Sequence, residues 1–174
     1  MNNKNLINVI TTMLNQFSSD SNITSTLQNV LVEITSLIHA EASSFFLHKK
    51  EIDKLVCENC IGPVDIKGLS LASNQGIVGE VFSSQKSRLI EDVKKDASHL
   101  SKVDEKTGFV TKSLMTVPVV FDGHVYGCLQ ALNKTGDNGF FSNDDLEYFE
   151  LLALNLGIIL KNLELTEKAV LDKL

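Results

Sequence analysis

The sequence predicts an α+β fold, with helices packed on an antiparallel sheet, and three observations carry that expectation. Two helical stripes open the chain, short alternating segments fill its middle, and one long apolar helix closes it. Strands grouped between helices suit a sheet covered by helices rather than a wound parallel sheet. At 174 residues the chain fits one domain with a self-sufficient core. Its expected parts are N-terminal helices over 1–40, the sheet over 41–141, and a closing helix over 142–174.

The first helix rests on Leu6, Val9, Ile10, Met13, Leu14 and Phe17, whose spacing follows a helical stripe until SSDSN breaks it. Leu27, Val30, Leu31, Ile34, Leu37 and Ile38 line one face of a second helix ending near His39. Ser43 to His48 and Leu55 to Ile61 read as strands joined by the charged turn KKEIDK. A short strand is expected around Ile66 to Leu71. NQGIVGEVFSSQ then reads as a tight turn into a helix, with Gly76 and Gly79 allowing close backbone approach. RLIEDV is a short strand, and KKDASHLSKVDEKTG is polar loop with a helical turn.

LMTVPVVF and HVYGCLQALN flank Asp122-Gly123, a dipeptide that favours a type I′ hairpin turn. Pro118 cannot donate to a ladder, so it belongs at an edge or a bulge. The closing helix opens on Ser142, a good N-cap, with Asp145 three positions on as a capping-box variant. That helix is apolar nearly all round, which calls for two partners. One is the sheet; the other is a second chain, along a seam of Leu156, Leu160, Leu163, Val170 and Leu174. The expected assembly is a homodimer whose first and last helices form a bundle.

Composition narrows the partners. Apolar residues make up 43% and charged residues 22%, an ordinary globular balance. A formal charge of −6 without a basic run argues against nucleic acid. No apolar stretch approaches the roughly 18–20 residues of a membrane span, and MNNKNLINVI lacks a signal peptide's layout. A cytoplasmic domain without direct membrane contact is expected. Three cysteines cannot form a full disulfide framework. Cys57 and Cys60 stand three apart on a strand, which places them on opposite faces and disfavours a shared metal. His39, His48, His99 and His124 fall in unlike contexts with no nucleophile nearby, so neither catalysis nor a cofactor is expected.

The segment TGFVTKSLMTVPVVFDGHVYGCLQALNKTGDNGFFSNDDLEYF is similar to the regulatory GAF domains of cyclic-nucleotide phosphodiesterases and bacterial nucleotide cyclases. The similarity extends back through GIVGEVF to ASSFFLHKK, over nearly the whole chain. The family's NK…F-x3-D-E signature falls on Asn133, Lys134, Phe141 and Asp145, with Leu146 in place of the final Glu. A Lys at a strand end and an Asp in a helix's first turn can pair and pin the loop between them. These residues are therefore expected to frame the pocket rather than touch ligand.

The resemblance implies ligand contacts position by position. Ser44 would approach the base; Cys60 and Ile61 stand where the family has an aromatic and an acidic residue. The backbone at Ile77 and Val78 would hold the cyclic phosphate at a helix N-terminus. Asp104, Thr107 and Thr111 would belong to a lid, and Gln130 would read the base edge. The implied ligand is cAMP or cGMP; the Gln130 amide and a composition that reads as bacterial favour cAMP. The resemblance also implies an output domain beyond Leu174, such as a nucleotide cyclase or a kinase. Cys60 and Ile61 keep a rival open: another small ligand, or a ligand-free dimerisation module. A second rival is an enzyme, and GAF reductases of free methionine sulfoxide need lid cysteines that this chain lacks.

Overall fold

The computed structural model describes residues 7–13, 15, 23–95, 108–136 and 139–172. Among them four α-helices and six strands follow one another: α1 (7–13), α2 (Ile23–Leu37), β1 (Ala40–Lys49), β2 (Lys54–Ile61), β3 (Ser70–Ala72), α3 (Gly76–Ser84), β4 (Arg88–Ile90), β5 (Leu114–Phe121), β6 (His124–Lys134) and α4 (Asn143–Leu171). The strands form one sheet in the order β3-β2-β1-β6-β5-β4, every neighbouring pair antiparallel. The α+β expectation holds.

Side-chain alternation splits the interior in two. Phe45 and Phe46 are consecutive in β1 and point to opposite faces. Phe45 joins Val9, Met13, Ile34, Leu129, Phe149, Leu152 and Leu156 in a core between the sheet and helices α1, α2 and α4. Phe46 joins Leu55, Cys57, Ile77, Val78, Val81, Leu114 and Cys128 beneath α3 on the other face. The central strands are therefore buried on both sides, and each fully buried large apolar side chain contributes about 1.5–3 kcal/mol.

The β5–β6 turn carries positive φ at both Asp122 (52°) and Gly123 (71°), as a type I′ turn requires. Pro118 lies beyond the reach of β4, which pairs only with residues 114–116, so its missing N–H costs no ladder bond on that edge. Gly127 is demanded by packing: a Cβ there would stand 1.9 Å from the Phe46 carbonyl oxygen.

Three expectations change. The short strand begins at Ser70 rather than Ile66. Cys57 and Cys60 do not face opposite ways. Phe46 pairs with Cys57 and Phe45 with Asn59, so Glu58 is an extra bulged residue that resets the alternation and turns both cysteines to the α3 face. The face of α4 expected to form a seam packs within the chain instead. Leu156 is buried, and Leu160 and Leu163 pack against the protein's own core, as does Met13 of α1; among the described side chains of α4, Leu151, Leu154 and Leu165 are exposed. The sheet takes the face that spacing alone offered to a second chain. Leu6, Leu14, Phe17 and Leu174 lie outside the described residues.

Candidate ligand-binding site

Strand register assembles a polar row on the α3 face. Cys60 of β2 pairs with Ser44 of β1, Ser44 with Gln130 of β6, Gln130 with Thr116 of β5, and Thr116 with Arg88 of β4. Directly paired residues share a face, so these five side chains cross the sheet in one line. The rows on either side are apolar: Cys57, Phe46, Cys128 and Pro118 on one, Ala42, Leu132, Leu114 and Ile90 on the other. A single polar line between apolar walls suits the edge of a flat heterocycle.

The members of the row are differently occupied. Gln130 donates from Nε2 to Thr116 Oγ1 at 3.0 Å. Arg88 is held by Glu80 of α3. The Ser44 hydroxyl is buried and has no hydrogen-bond partner among the described residues. A desolvated hydroxyl without a partner costs about 1–3 kcal/mol, which singles out Ser44 Oγ within the row. Beside it lies an apolar cavity of about 50 Å³ lined by Ala42, Ser44, Cys60, Ile61, Phe109 and Leu132 among others. Cys60 and Val64 also border an open cleft of about 450 Å³ that reaches Gln28, Asp65 and Lys67.

Helix α3 covers the far end of this face. Its first turn carries Ile77 and Val78, both buried against Phe46 and Cys128, and Cys128 Sγ lies 3.5 Å from the Val78 carbonyl oxygen. Gln75 at the N-cap makes no side-chain bond to the first-turn amides. Those amides carry the positive end of the helix dipole. A Cβ at Gly79 would come within 2.7 Å of the Asn74 carbonyl carbon, so glycine is what lets this turn close.

The expected frame residues meet at the opposite end. Asn133 adopts φ 55°, and its side-chain oxygen accepts from the Lys112 amide at 2.7 Å, while its Nδ2 donates to Glu41 (2.8 Å) and to the Val110 carbonyl (2.9 Å). Lys134 Nζ donates to the Ile38 carbonyl just past α2 (2.9 Å) and to Asp145 Oδ1 (2.7 Å), and lies 5.6 Å from the Phe141 ring centre. Asp145 Oδ2 accepts from the Ser142 amide at 2.8 Å, and Ser142 Oγ accepts from the Asp145 amide at 3.1 Å. Capping and ion pairing thus share one carboxylate, one oxygen each.

Of the ligand residues expected from sequence, Ser44, Cys60 and Gln130 come together on the α3 face, with the α3 turn of Ile77 and Val78 packed on it. Ile61 corrects the expectation: it pairs with Ser43, faces the opposite side and packs against the helix-covered core, reaching only the border of the small cavity. Thr111 is buried rather than displayed on a surface. Asp104 and Thr107 lie outside the described residues. Phe109 as a cavity wall and Thr116 as the partner of Gln130 were not anticipated. A single hydroxyl between the apolar Met115 and Val117 was the available signal for Thr116. The thiols suit packing more than chemistry: burial pushes Cys57, Cys60 and Cys128 above the ordinary range. Among the described residues no three His, Cys, Asp or Glu side chains converge as a metal set, and no helix is long and apolar enough to cross a membrane.

Comparison with known proteins follows the same geometry. The sequence profile of the GAF domain matches residues 22–160. The chain is 26% identical over 164 residues to the dual 3',5'-cyclic-AMP and -GMP phosphodiesterase 11A of Takifugu rubripes, covering 88% of this chain and 18% of that protein. It is 27% identical over 155 residues to the cGMP-specific 3',5'-cyclic phosphodiesterase of Drosophila melanogaster, covering 81% of this chain and 14% of that one. The chain therefore spans less than a fifth of these relatives. Among solved structures, the GAF domain of a phosphoenolpyruvate-protein phosphotransferase from Coxiella burnetii superposes with a TM-score of 0.82 at 16% identity, over 97% of this chain and 99% of that one. A free methionine-R-sulfoxide reductase from Neisseria meningitidis, in complex with its substrate, superposes at 0.73 with 18% identity, over 90% and 88%. At such identities these two establish the shared fold alone.

Proposed function

The chain belongs to the GAF domain family, and from that premise we propose that it is a regulatory domain that binds a cyclic purine nucleotide, cAMP in preference to cGMP. The observation that carries the reading is the polar row with its buried Ser44 hydroxyl, which has no hydrogen-bond partner among the described residues, bounded by apolar rows on both sides. The base would lie along that row, with its ring against the apolar neighbours. The cyclic phosphate would meet the amides of the α3 first turn, which suit an anion without a lysine. The kinship with phosphodiesterases of cyclic nucleotides supports the ligand class.

In this reading the domain performs no chemistry. Its raised thiol pKa values leave little thiolate for nucleophilic attack. The bound state is passed on mechanically: β6 carries Gln130 and, three and four residues later, Asn133 and Lys134, and Lys134 holds the first turn of α4 through Asp145. A shift of β6 on binding would move α4, which leads along a homodimer to an output domain. Coupling of this kind needs a difference in ligand affinity between two arrangements, about 1–3 kcal/mol for a typical allosteric effect.

A smaller, more apolar ligand is the second reading. The cavity of about 50 Å³ beside Ser44 favours it, since nucleotide-sized ligands occupy roughly 300 Å³ or more. Cys60 and Ile61, where the family resemblance implies a ring and an acid, favour it too. Native mass spectrometry with cAMP and cGMP titrated into the purified domain decides. A one-to-one adduct that weakens in Gln130→Leu supports the nucleotide. Absence of an adduct with both nucleotides, with a different small molecule retained, moves the assignment to the second reading.

A further inference from the structure

We infer that Gln28 of α2 is a positioning residue for the ligand face: it locks the bulge of β2 in the phase that turns Cys60 toward the ligand, and it ties that face to α2. The inference rests on the α3 face being the ligand-binding face, and it adds a residue from the opposite side of the sheet. Cys57 pairs with Phe46, and the extra Glu58 then shifts Asn59 onto Phe45 and Cys60 onto Ser44. Without the bulge the same strand would set Glu58 against Phe45, Asn59 against Ser44 and Cys60 against Ser43, and the row would lose its thiol. In the bulged phase Asn59 shares the helix-covered side with Phe45, and Cys60 lines the small cavity beside Ser44.

Gln28 holds both of these residues. Its Nε2 donates to the Cys60 carbonyl at 3.0 Å, and its Oε1 accepts from Asn59 Nδ2 at 2.9 Å. A carbonyl oxygen only accepts, so the amide nitrogen of Gln28 must face Cys60; Oε1 only accepts, so Asn59 must present its own NH₂. The chain of bonds has one direction, and neither amide can turn over without breaking it. Asn59 is 2% exposed, which keeps water from replacing that end of the chain. Lys49 holds the surplus residue aside, its Nζ 2.7 Å from Glu58 Oε1. A ligand that presses on Cys60 therefore loads a carbonyl held from α2, and a shift of α2 changes ligand affinity by the same factor in return.

The test uses Gln28→Met, which keeps the length and removes both bonds, and Gln28→Glu, whose ionised carboxylate still accepts from Asn59 but repels the Cys60 carbonyl. Protonation gives the introduced carboxyl an O–H for that carbonyl, and its place beside a carbonyl oxygen raises its pKa above the ordinary value of about 4.3. Hydrogen exchange over residues 57–62, without ligand, is measured relative to the native domain at about pH 7.5 and about pH 5. Both variants should exchange at least about tenfold faster than native at the higher pH, and Gln28→Glu alone should return to within about threefold at the lower. A side chain that only fills space would give no such recovery. Exchange over residues 23–37 with saturating cAMP then reads the link to α2. cAMP should slow it at least about threefold in the native domain and leave it unchanged in Gln28→Met, which should bind cAMP about tenfold more weakly by calorimetry. Native-like exchange over 57–62 in Gln28→Met, or no recovery of Gln28→Glu at the lower pH, overturns the lock on the bulge. Protection of α2 that survives in Gln28→Met overturns the link. If cAMP does not bind the native domain, the nucleotide reading falls, and exchange over 57–62 still decides the lock.

Discussion

Lys134 and Asp145 stand 2.7 Å apart, and each has a second partner that the other cannot replace. Lys134 also donates to the Ile38 carbonyl past α2, and Asp145 also accepts from the Ser142 amide and hydroxyl. One ion pair therefore joins the end of α2, the end of β6 and the start of α4. Both side chains are mostly withdrawn from water, 16% and 13% exposed, which puts the pair outside the weak class of surface bridges.

Lys134→Ala should cost about 3 kcal/mol, the low end for removing one partner of a buried pair, and should weaken ligand binding with it. Exchanging the charges, Lys134→Asp with Asp145→Lys, should not restore stability. The new Asp would face the Ile38 carbonyl, and the new Lys would sit on the positive end of α4. Denaturant midpoints for the three variants check this; a recovery in the exchanged pair would reduce the arrangement to a simple Coulomb contact.

Acidification should expose the same carboxylate. Burial raises the Asp145 pKa, but the hydrogen bonds from Lys134 and from Ser142 outweigh it and bring the net value below the ordinary 3.8. A depressed folded pKa gives stability that is present above the unfolded value and lost as pH falls through the folded one. The native domain should therefore lose stability as pH drops below about 4–5, while Asp145→Asn starts less stable and shows a shallower acid slope. Urea unfolding from pH 7 to pH 2 measures both slopes, and equal slopes would remove Asp145 from the acid response.

What the sequence could and could not tell follows from the range of the forces involved. The β5–β6 hairpin was legible because Asp122-Gly123 and the flanking alternation are local signals. The contacts of Asp145 were legible because a carboxylate three residues past a serine is a capping signal and Lys134 closes the strand before it. The hydrogen bonds of Asn133 to Lys112, Glu41 and Val110 join segments far apart in sequence and were not. The bulge at Glu58 was not, since it exists only in the pairing of β2 with β1, and the faces of Cys57 and Cys60 were misjudged for that reason. The polar row shares this property: Cys60, Ser44, Gln130, Thr116 and Arg88 are far apart in sequence and meet only through register. On α4, an all-round apolar helix gave no indication of which side the sheet would take.

That last point relocates the assembly test. Leu151 and Leu154 are 38% and 44% exposed, whereas Leu160 and Leu163 pack inward. Leu151→Glu with Leu154→Glu should convert a homodimer to a folded monomer with the melting temperature changed by only about 2–4 °C. Light scattering and thermal melts report both quantities. A native domain that is monomeric at high micromolar concentration would remove the second copy from the signalling route.

The central claim is that the row through Ser44 and Gln130 receives a cyclic purine nucleotide, and calorimetric titration of cAMP into the native domain tests it most directly. The account predicts one site per chain with micromolar or tighter affinity, worth at least about 8 kcal/mol, and an accompanying rise in melting temperature. No heat and no thermal shift with either cAMP or cGMP at millimolar concentration would contradict it.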